Sequence, residues 1–395
     1  MAILSDMKRY LLISILLIAL ASCQKKQVQT TPWGTVIGAD TTQSSATFSL
    51  GDIQDEGELI VLTISGPETY YDYHGHGMGL QYLLCEQFAK QIGVAVRVDV
   101  CRDTTEMLNR LRNGDADLIA FQLPKGIKGL DYCGAYDGKR GTQWAVRSGN
   151  SELADTLSRW FRPDMAQRVK REESFLLSSR SIERHVYSPM LDRAGGVISR
   201  YDRYFKMYAP VARWDWRLLA AQSYQESCFD PEAKSWAGAR GLMQIMPSTA
   251  DHLGLDASQL TNAEMNIAAA TKYIAQLSGK FSDIGDPLER QNFVLASYNG
   301  GYWHIRDAMA LARQHGRNPH SWAEVSEFVL KLSDPAYYRS AVVKNGYMRG
   351  SETVDYVNRI RQRYSQYRGV GGGGFTAPSG SMTPSRANKK YRFHV

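Results

Sequence analysis

Trp216-Arg217-Leu218-Leu219-Ala220-Ala221-Gln222-Ser223-Tyr224-Gln225-Glu226 decides how the second half of the chain is read. At 3.6 residues per turn it puts Leu219, Gln222, Ser223 and Glu226 on one helix face, so a carboxylic acid ends a partly apolar stripe. Such a carboxyl can be desolvated, which raises its pKa toward the range of a general acid. Taken alone, a glutamate near a helix end reads more readily as a solvated surface residue. The same spacing recurs on both sides of it. Apolar periodicity predicts helices over 198–208, 216–227, 247–253, 263–277, 290–297, 302–313, 323–332 and 352–364, with few strand signals between them. An all-helical domain is expected over 181–368.

Downstream, Ser235-Trp236-Ala237-Gly238-Ala239-Arg240-Gly241-Leu242-Met243-Gln244-Ile245-Met246-Pro247 changes the weight given to Glu226. Its glycines, Gly241 among them, allow the backbone to pass close to a ligand. Met243 offers an adaptable apolar surface, and Gln244 a donor and an acceptor. Pro247 suits the first turn of the following helix. A third segment, Ala296-Ser297-Tyr298-Asn299-Gly300-Gly301, ends a helix with glycines and leaves a phenol and an amide at the turn. Read alone, it is a glycine cap beside a surface aromatic.

Together these segments resemble the lytic transglycosylase catalytic domain related to goose-type lysozyme, and most closely the membrane-bound lytic murein transglycosylase F group. Four motifs match in order: Glu226-Ser227, Gly241-Leu242-Met243-Gln244, the Ser297-Tyr298-Asn299 turn, and Glu352-Thr353-Val354-Asp355-Tyr356-Val357. Ser297 stands where relatives usually carry Ala. The match covers about 170 residues.

The resemblance implies non-hydrolytic cleavage of the β-1,4 bond between N-acetylmuramic acid and N-acetylglucosamine, leaving a 1,6-anhydro ring on the muramyl product. Glu226 is the implied acid/base. Ser227, Ser235, Gly241, Met243, Gln244, Tyr298, Asn299 and Tyr356 are the implied substrate-binding residues, with Tyr298 helping to hold Glu226 or the acetamido group. No metal or nucleotide motif is present, so no cofactor is expected. The partner is the peptidoglycan glycan strand. Two alternatives stay open here: a lysozyme-type hydrolase using the same acid with water, and a non-catalytic glycan-binding or sensing lipoprotein.

The first half alternates element types. Residues 59–63, 95–100 and 117–121 read as strands and 80–91 and 105–113 as helices, a βαβαβ lobe. Gly79-Leu80-Gln81-Tyr82, Phe88-Ala89-Lys90-Gln91-Ile92-Gly93-Val94 and Asn113-Gly114-Asp115-Ala116-Asp117-Leu118 resemble the first lobe of periplasmic solute-binding domains of the amino-acid type. In that family a second lobe follows the third strand. Here Gln122 runs quickly to Gln143-Trp144-Ala145-Val146-Arg147, the returning strand, so the lobe over 57–180 is single. A wall peptide or amino acid is the ligand such a lobe would take, beside Tyr70, Tyr71 and Tyr73, although loss of the second lobe favours a platform. His74-Gly75-His76-Gly77 has too few ligands for a metal site and reads as a plain flexible loop. The fold expected is α+β: an α/β solute-binding-like lobe followed by an all-α lysozyme-like domain.

The ends read differently. Lys8 and Arg9, the apolar run 10–20 and Leu20-Ala21-Ser22-Cys23 resemble a lipoprotein signal over 1–23, with Cys23 lipidated and holding the protein at a membrane. Gln24 after Cys23 resembles lipoproteins sorted to an outer membrane, facing the periplasm. Residues 24–56, rich in Gln, Thr and Ser, are expected to be a flexible tether, and 369–395, with Gly371 to Gly374 in a row, a disordered tail. The net charge of +7 is spread along an exported chain, which favours an anionic envelope polymer over nucleic acid. Of Cys85, Cys101, Cys133 and Cys228, only Cys101 with Cys133 is a pair to test as a disulfide.

Overall fold

The computed structural model describes residues 49–369 together with two short strands, β1 (Gln29–Thr30) and β2 (Val36–Ile37), which pair antiparallel. The chain divides into a unit of residues 1–47, to which β1 and β2 belong, and a unit of residues 48–395. The expected leader with Cys23 and the expected tail from residue 370 onward lie outside the described residues.

The second unit opens earlier than the expected tether allows. Residues Leu50–Glu56 form a helix, α1, closed by a capping box in which Ser49 and Asp52 satisfy each other's backbone N–H groups. Ile53 anchors α1 in the core. There follow β3 (Glu58–Ile64), a hairpin of β4 (Tyr71–Tyr73) and β5 (His76–Met78), α2 (Leu80–Ile92), β6 (Ala95–Cys101), α3 (Thr104–Asn113), β7 (Leu118–Pro124), β8 (Leu130–Asp137), β9 (Thr142–Arg147), α4 (Ser151–Trp160) and α5 (Pro163–Leu176). Five strands form one sheet in the order β6-β3-β7-β9-β8, with β6, β3 and β7 parallel and β9 antiparallel to both its neighbours.

The period-two pattern of the strands sorts the core. Leu59, Val61, Leu118, Ala120, Trp144 and Val146 face α1, α2, α4 and α5. Leu62, Ile64, Ile119 and Ala145 face α3. β8 is absent from the sequence expectation for a physical reason. Its register with β9 shifts between Cys133 and Tyr136 around Gly134, whose φ is 60°, and such a bulge breaks the alternation that announces a strand. The same sheet excludes the Cys101–Cys133 pair. The two thiols lie on opposite edge strands and opposite faces, about 19 Å apart at ~4.8 Å per strand, and all four described cysteines are free.

The helical part consists of α6 (Asp202–Ala212), α7 (Trp216–Ser227), α8 (Pro247–Leu253), α9 (Ala263–Lys280), α10 (Pro287–Gly300), α11 (Tyr302–Gln314), α12 (Trp322–Lys331), α13 (Pro335–Tyr338) and α14 (Gly350–Arg368) around one apolar core. Caps set the boundaries: Asp215 accepts from the Arg217 N–H before α7, Asn262 opens α9, and Asp286 precedes Pro287 at the start of α10. The α/β lobe and all-helical domain that the sequence predicts are both present.

The lobe is seated on the helical domain. Ser65 Oγ, just past β3, accepts from the Tyr347 N–H at 2.9 Å, and the Tyr71 and Tyr347 rings meet edge to face at 4.9 Å. The β4–β5 connection is an ordered two-residue turn rather than a plain loop. His74 and Gly75 both have left-handed backbone (φ 53° and 79°), as a tight hairpin turn requires, and Asp72 accepts from the Gly75 N–H at 3.1 Å.

Candidate active site

Glu226 occupies the last turn of α7. Ser223 and Ser227, four residues apart on that helix, both donate to the Leu242 carbonyl, at 3.1 and 2.8 Å. They tie the loop of residues 235–246 to the helix end. The chain can fold back there because Cys228 and Phe229 adopt left-handed backbone, with φ of 52° and 63°. Asn266, fully buried in α9, secures the loop from below. Its side chain accepts from the Met243 N–H at 2.8 Å and donates to Leu260 and Arg240 carbonyls at 2.8 and 3.1 Å.

Several expected substrate contacts prove to be internal. Ser227 is fully buried, so its hydroxyl positions the loop instead of meeting a sugar. Gly241, at φ 80°, lies where a Cβ would sit 2.2 Å from the Leu260 carbonyl oxygen and 2.5 Å from Asn266 Nδ2. Its close approach is to protein, not ligand. The Met243 side chain is buried at 1 % exposure, and its carbonyl accepts from the Tyr298 hydroxyl at 2.7 Å. Tyr298 therefore holds the loop and not Glu226.

Tyr356 takes that second part. From α14 it donates to Glu226 Oε1 at 2.5 Å and accepts from Gln222 Nε2, one turn earlier on α7, at 3.1 Å. Arg184, in the irregular segment before α6, donates to the Glu226 backbone carbonyl at 3.1 Å. Burial pushes the Glu226 carboxyl up to about 8, against the Tyr356 hydrogen bond and the Arg184 charge, which pull it down, and with the Glu352 charge, which adds to the rise. At neutral pH this acid carries its proton. Burial and the neighbouring Glu226 hold the Tyr356 and Tyr298 phenols well above their ordinary range, so both stay neutral donors.

Glu226 opens into a hollow of about 470 Å³ that Ser235, Gln244, Tyr298, Asn299 and Tyr356 also line, a size suited to a bound small molecule or oligomer segment. Ser235 Oγ accepts from the Ala239 N–H at 3.0 Å, and Asn299 Oδ1 accepts from the Thr353 hydroxyl at 2.7 Å. Gln244, held at φ 46°, spends its amide nitrogen on the Ala233 and Gly241 carbonyls at 3.0 Å each. Its carbonyl is the part it can offer a ligand. Arg184, Trp236 and Glu352 line the same hollow and are not among the residues expected there. Glu352 and Trp236 stand inside quoted motifs, but Arg184 lies in a stretch with no motif or periodicity.

Tyr356→Phe removes a hydrogen bond that favours the carboxylate form, so the Glu226 pKa rises further. The basic limb of a pH–rate profile should move to higher pH, with the rate at its plateau reduced about tenfold through loss of orientation. An unmoved limb would show that Tyr356 does not act on this carboxyl.

Residues 203–320 match the family model described as Transglycosylase SLT domain. The membrane-bound lytic murein transglycosylase F of Maricaulis maris is 35% identical over 80% of this chain and 91% of its own length. That of Citrobacter koseri is 29% identical over 89% and 85%. Among solved structures, the 70 kDa soluble lytic transglycosylase SLT70 from Escherichia coli shares 27% identity over 42% of this chain and 24% of its own, with a TM-score of 0.32. The arginine-bound form of domain 1 from TmArgBP shares 20% over 30% of this chain and 97% of its own, with a TM-score of 0.25.

Proposed function

The chain belongs to the membrane-bound lytic murein transglycosylase F family, and from that premise we propose that Glu226 carries both proton transfers of its reaction. The activity is that of a lytic transglycosylase, a carbon–oxygen lyase acting on peptidoglycan. The observation that supports Glu226 is a half-buried carboxyl, at the mouth of the hollow, kept protonated up to about pH 8 and oriented by Tyr356. As the neutral acid it protonates the glycosidic oxygen while the bond to the muramyl C1 breaks. As the resulting carboxylate it takes the proton of the C6 hydroxyl that attacks C1, which closes the 1,6-anhydro ring and returns Glu226 to its starting state. The Gln244 carbonyl is placed to accept from an acetamido N–H, and Ser235 and Asn299 to line the sugar.

Mass spectrometry of muropeptides released by the full chain and by Glu226→Gln tests this. Products lighter by one water than reducing muropeptides, absent with the variant, are expected. Full-mass reducing products would instead mean hydrolysis. Because only protonated Glu226 can start the reaction, the rate should hold through neutral pH and fall as pH rises past about 8.

The lobe is proposed as a platform and not a sensor. The support is that Ser65, just past β3, and Tyr71, in the hairpin that follows, are engaged by Tyr347 of the helical domain. Titration of free muropeptides into the full chain should show no site that survives blocking of the Glu226 hollow. The family's name makes this a membrane-associated envelope protein. We assign the attachment to a lipidated Cys23, with the body facing the periplasm from the outer membrane. Loss of radiolabelled palmitate incorporation in Cys23→Ala is the expected result, and retained label would rule out that cysteine.

A further inference from the structure

A second hollow, of about 460 Å³, adjoins the one at Glu226, and Gln244, Tyr298, Arg349 and Glu352 line both. The proton transfers at Glu226 make no use of it. Its walls nevertheless collect unmet polar atoms. Among the described residues six buried side-chain nitrogen and oxygen atoms have no hydrogen-bond partner, and four of them, Ser297 Oγ, His304 Nδ1, Arg349 Nη1 and Glu352 Oε2, belong to residues that line this hollow. Buried polar atoms are costly to leave unpaired, so their gathering around one hollow marks a place where a ligand supplies the partners.

The charges say what that ligand carries. Among the described residues Arg349 is the one lysine or arginine in the lining, and it makes no ion pair; its guanidinium only lies over the Tyr73 ring, 5.8 Å from the centroid. Burial lowers the His304 and His74 imidazoles, so neither adds a second cation at neutral pH. Glu352 stands three residues beyond Arg349, in the first turn of α14. Its Oε1 accepts from the Tyr73 hydroxyl at 2.7 Å, and its Oε2 is left over. Asp72, the other acid in the lining, is exposed and accepts from the Gly75 N–H. A neutral sugar has no counter-charge for either side chain. A guanidinium and a carboxylate that leave each other unpaired are matched by a ligand bearing both a carboxylate and an ammonium.

We infer that this hollow seats the peptide stem of the muramyl unit being cut, with a stem carboxylate on Arg349 and a stem ammonium on Glu352. The inference rests on Glu226 as the acid/base, since that places the glycan in the neighbouring hollow, and the side chains common to both let one substrate fill the two together. Ser297 Oγ and His304 Nδ1, which line this hollow and not the other, meet the stem's amide groups. Trp303, 65 % exposed, gives the outer edge an apolar face for the stem's aliphatic carbons. The covalent link to the bound glycan makes seating of the stem intramolecular, so a stem too weak to bind by itself is held as part of the strand.

The test compares kcat/KM of the full chain on four substrates: glycan strands with intact stems, with stem carboxyls amidated, with stem amines acetylated, and with stems removed. Intact stems should be preferred over each of the others by about tenfold or more, the scale of one charge-assisted contact. Arg349→Gln should lose the response to amidation and keep the response to acetylation, a pairing that a merely structural role does not produce. Equal kcat/KM on all four substrates would overturn the proposal without any variant, and so would an Arg349→Gln chain that still discriminates against amidated stems. Free stem peptide should not inhibit; inhibition at concentrations near the KM of the strands would make the hollow a site for a free ligand and overturn the stem assignment. Activity persisting in Glu226→Gln would instead overturn the earlier reading, and it leaves the ratios among the four substrates measurable.

Discussion

Glu226→Gln is expected to lower the rate of anhydromuropeptide release by about 10³- to 10⁴-fold, the scale of losing a positioned acid/base. The amide retains shape and can still accept from Tyr356, so glycan binding should survive; that separates this loss from misfolding. The variant should also be the more stable protein in mildly alkaline solution. The folded state holds the Glu226 proton up to about pH 8, whereas an unperturbed glutamate releases it near 4.5. Between those values the folded chain binds more protons than the unfolded one, so this site's contribution to stability falls as pH rises through that window. The gap in melting temperature between variant and parent should therefore widen from pH 5 to pH 8. A gap independent of pH would show that the carboxyl is not held protonated.

Gly350→Ala should cost on the order of 3 kcal/mol and much of the activity, although the helix interior ordinarily gains about 0.5–1 kcal/mol from that change. Gly350 is the first residue of α14, and a Cβ there would sit 1.8 Å from the Val329 carbonyl oxygen and 2.5 Å from its carbon. Backbone cannot swing aside as a side chain can, so the clash outweighs the propensity. Relief requires α14 to move off α12, and α14 carries Tyr356 and Glu352 to the site. Thermal denaturation and activity should fall together. A variant with unchanged melting temperature would show that α12 yields easily.

Much of this was legible in the sequence because the determining signals are local. Helix α7 and the face it gives Glu226 follow from periodicity, as do β3, β6 and β7 from alternation. The family motifs brought the right segments together. What they could not divide is the labour within a motif: Ser227, Gly241 and Met243 look like binding residues beside Glu226, but their partners, Leu242, Leu260 and Tyr298, are brought in by the fold. The exchange between Tyr298 and Tyr356 has the same origin. Either phenol could reach the carboxyl, and only the placement of α10 and α14 decides. Arg184 and the β4–β5 hairpin escaped because their contacts join positions far apart in sequence.

The seating of the lobe on the helical domain also bears on how the protein comes apart. Ser65, Tyr71 and Tyr73 are held by Tyr347 and Glu352 at sequence separations of about 280 residues, so the lobe cannot melt without stripping partners from the helical domain. A pair of domains on a free hinge would give two heat-absorption peaks. Here calorimetry should record one, with catalysis lost at the same temperature as the sheet.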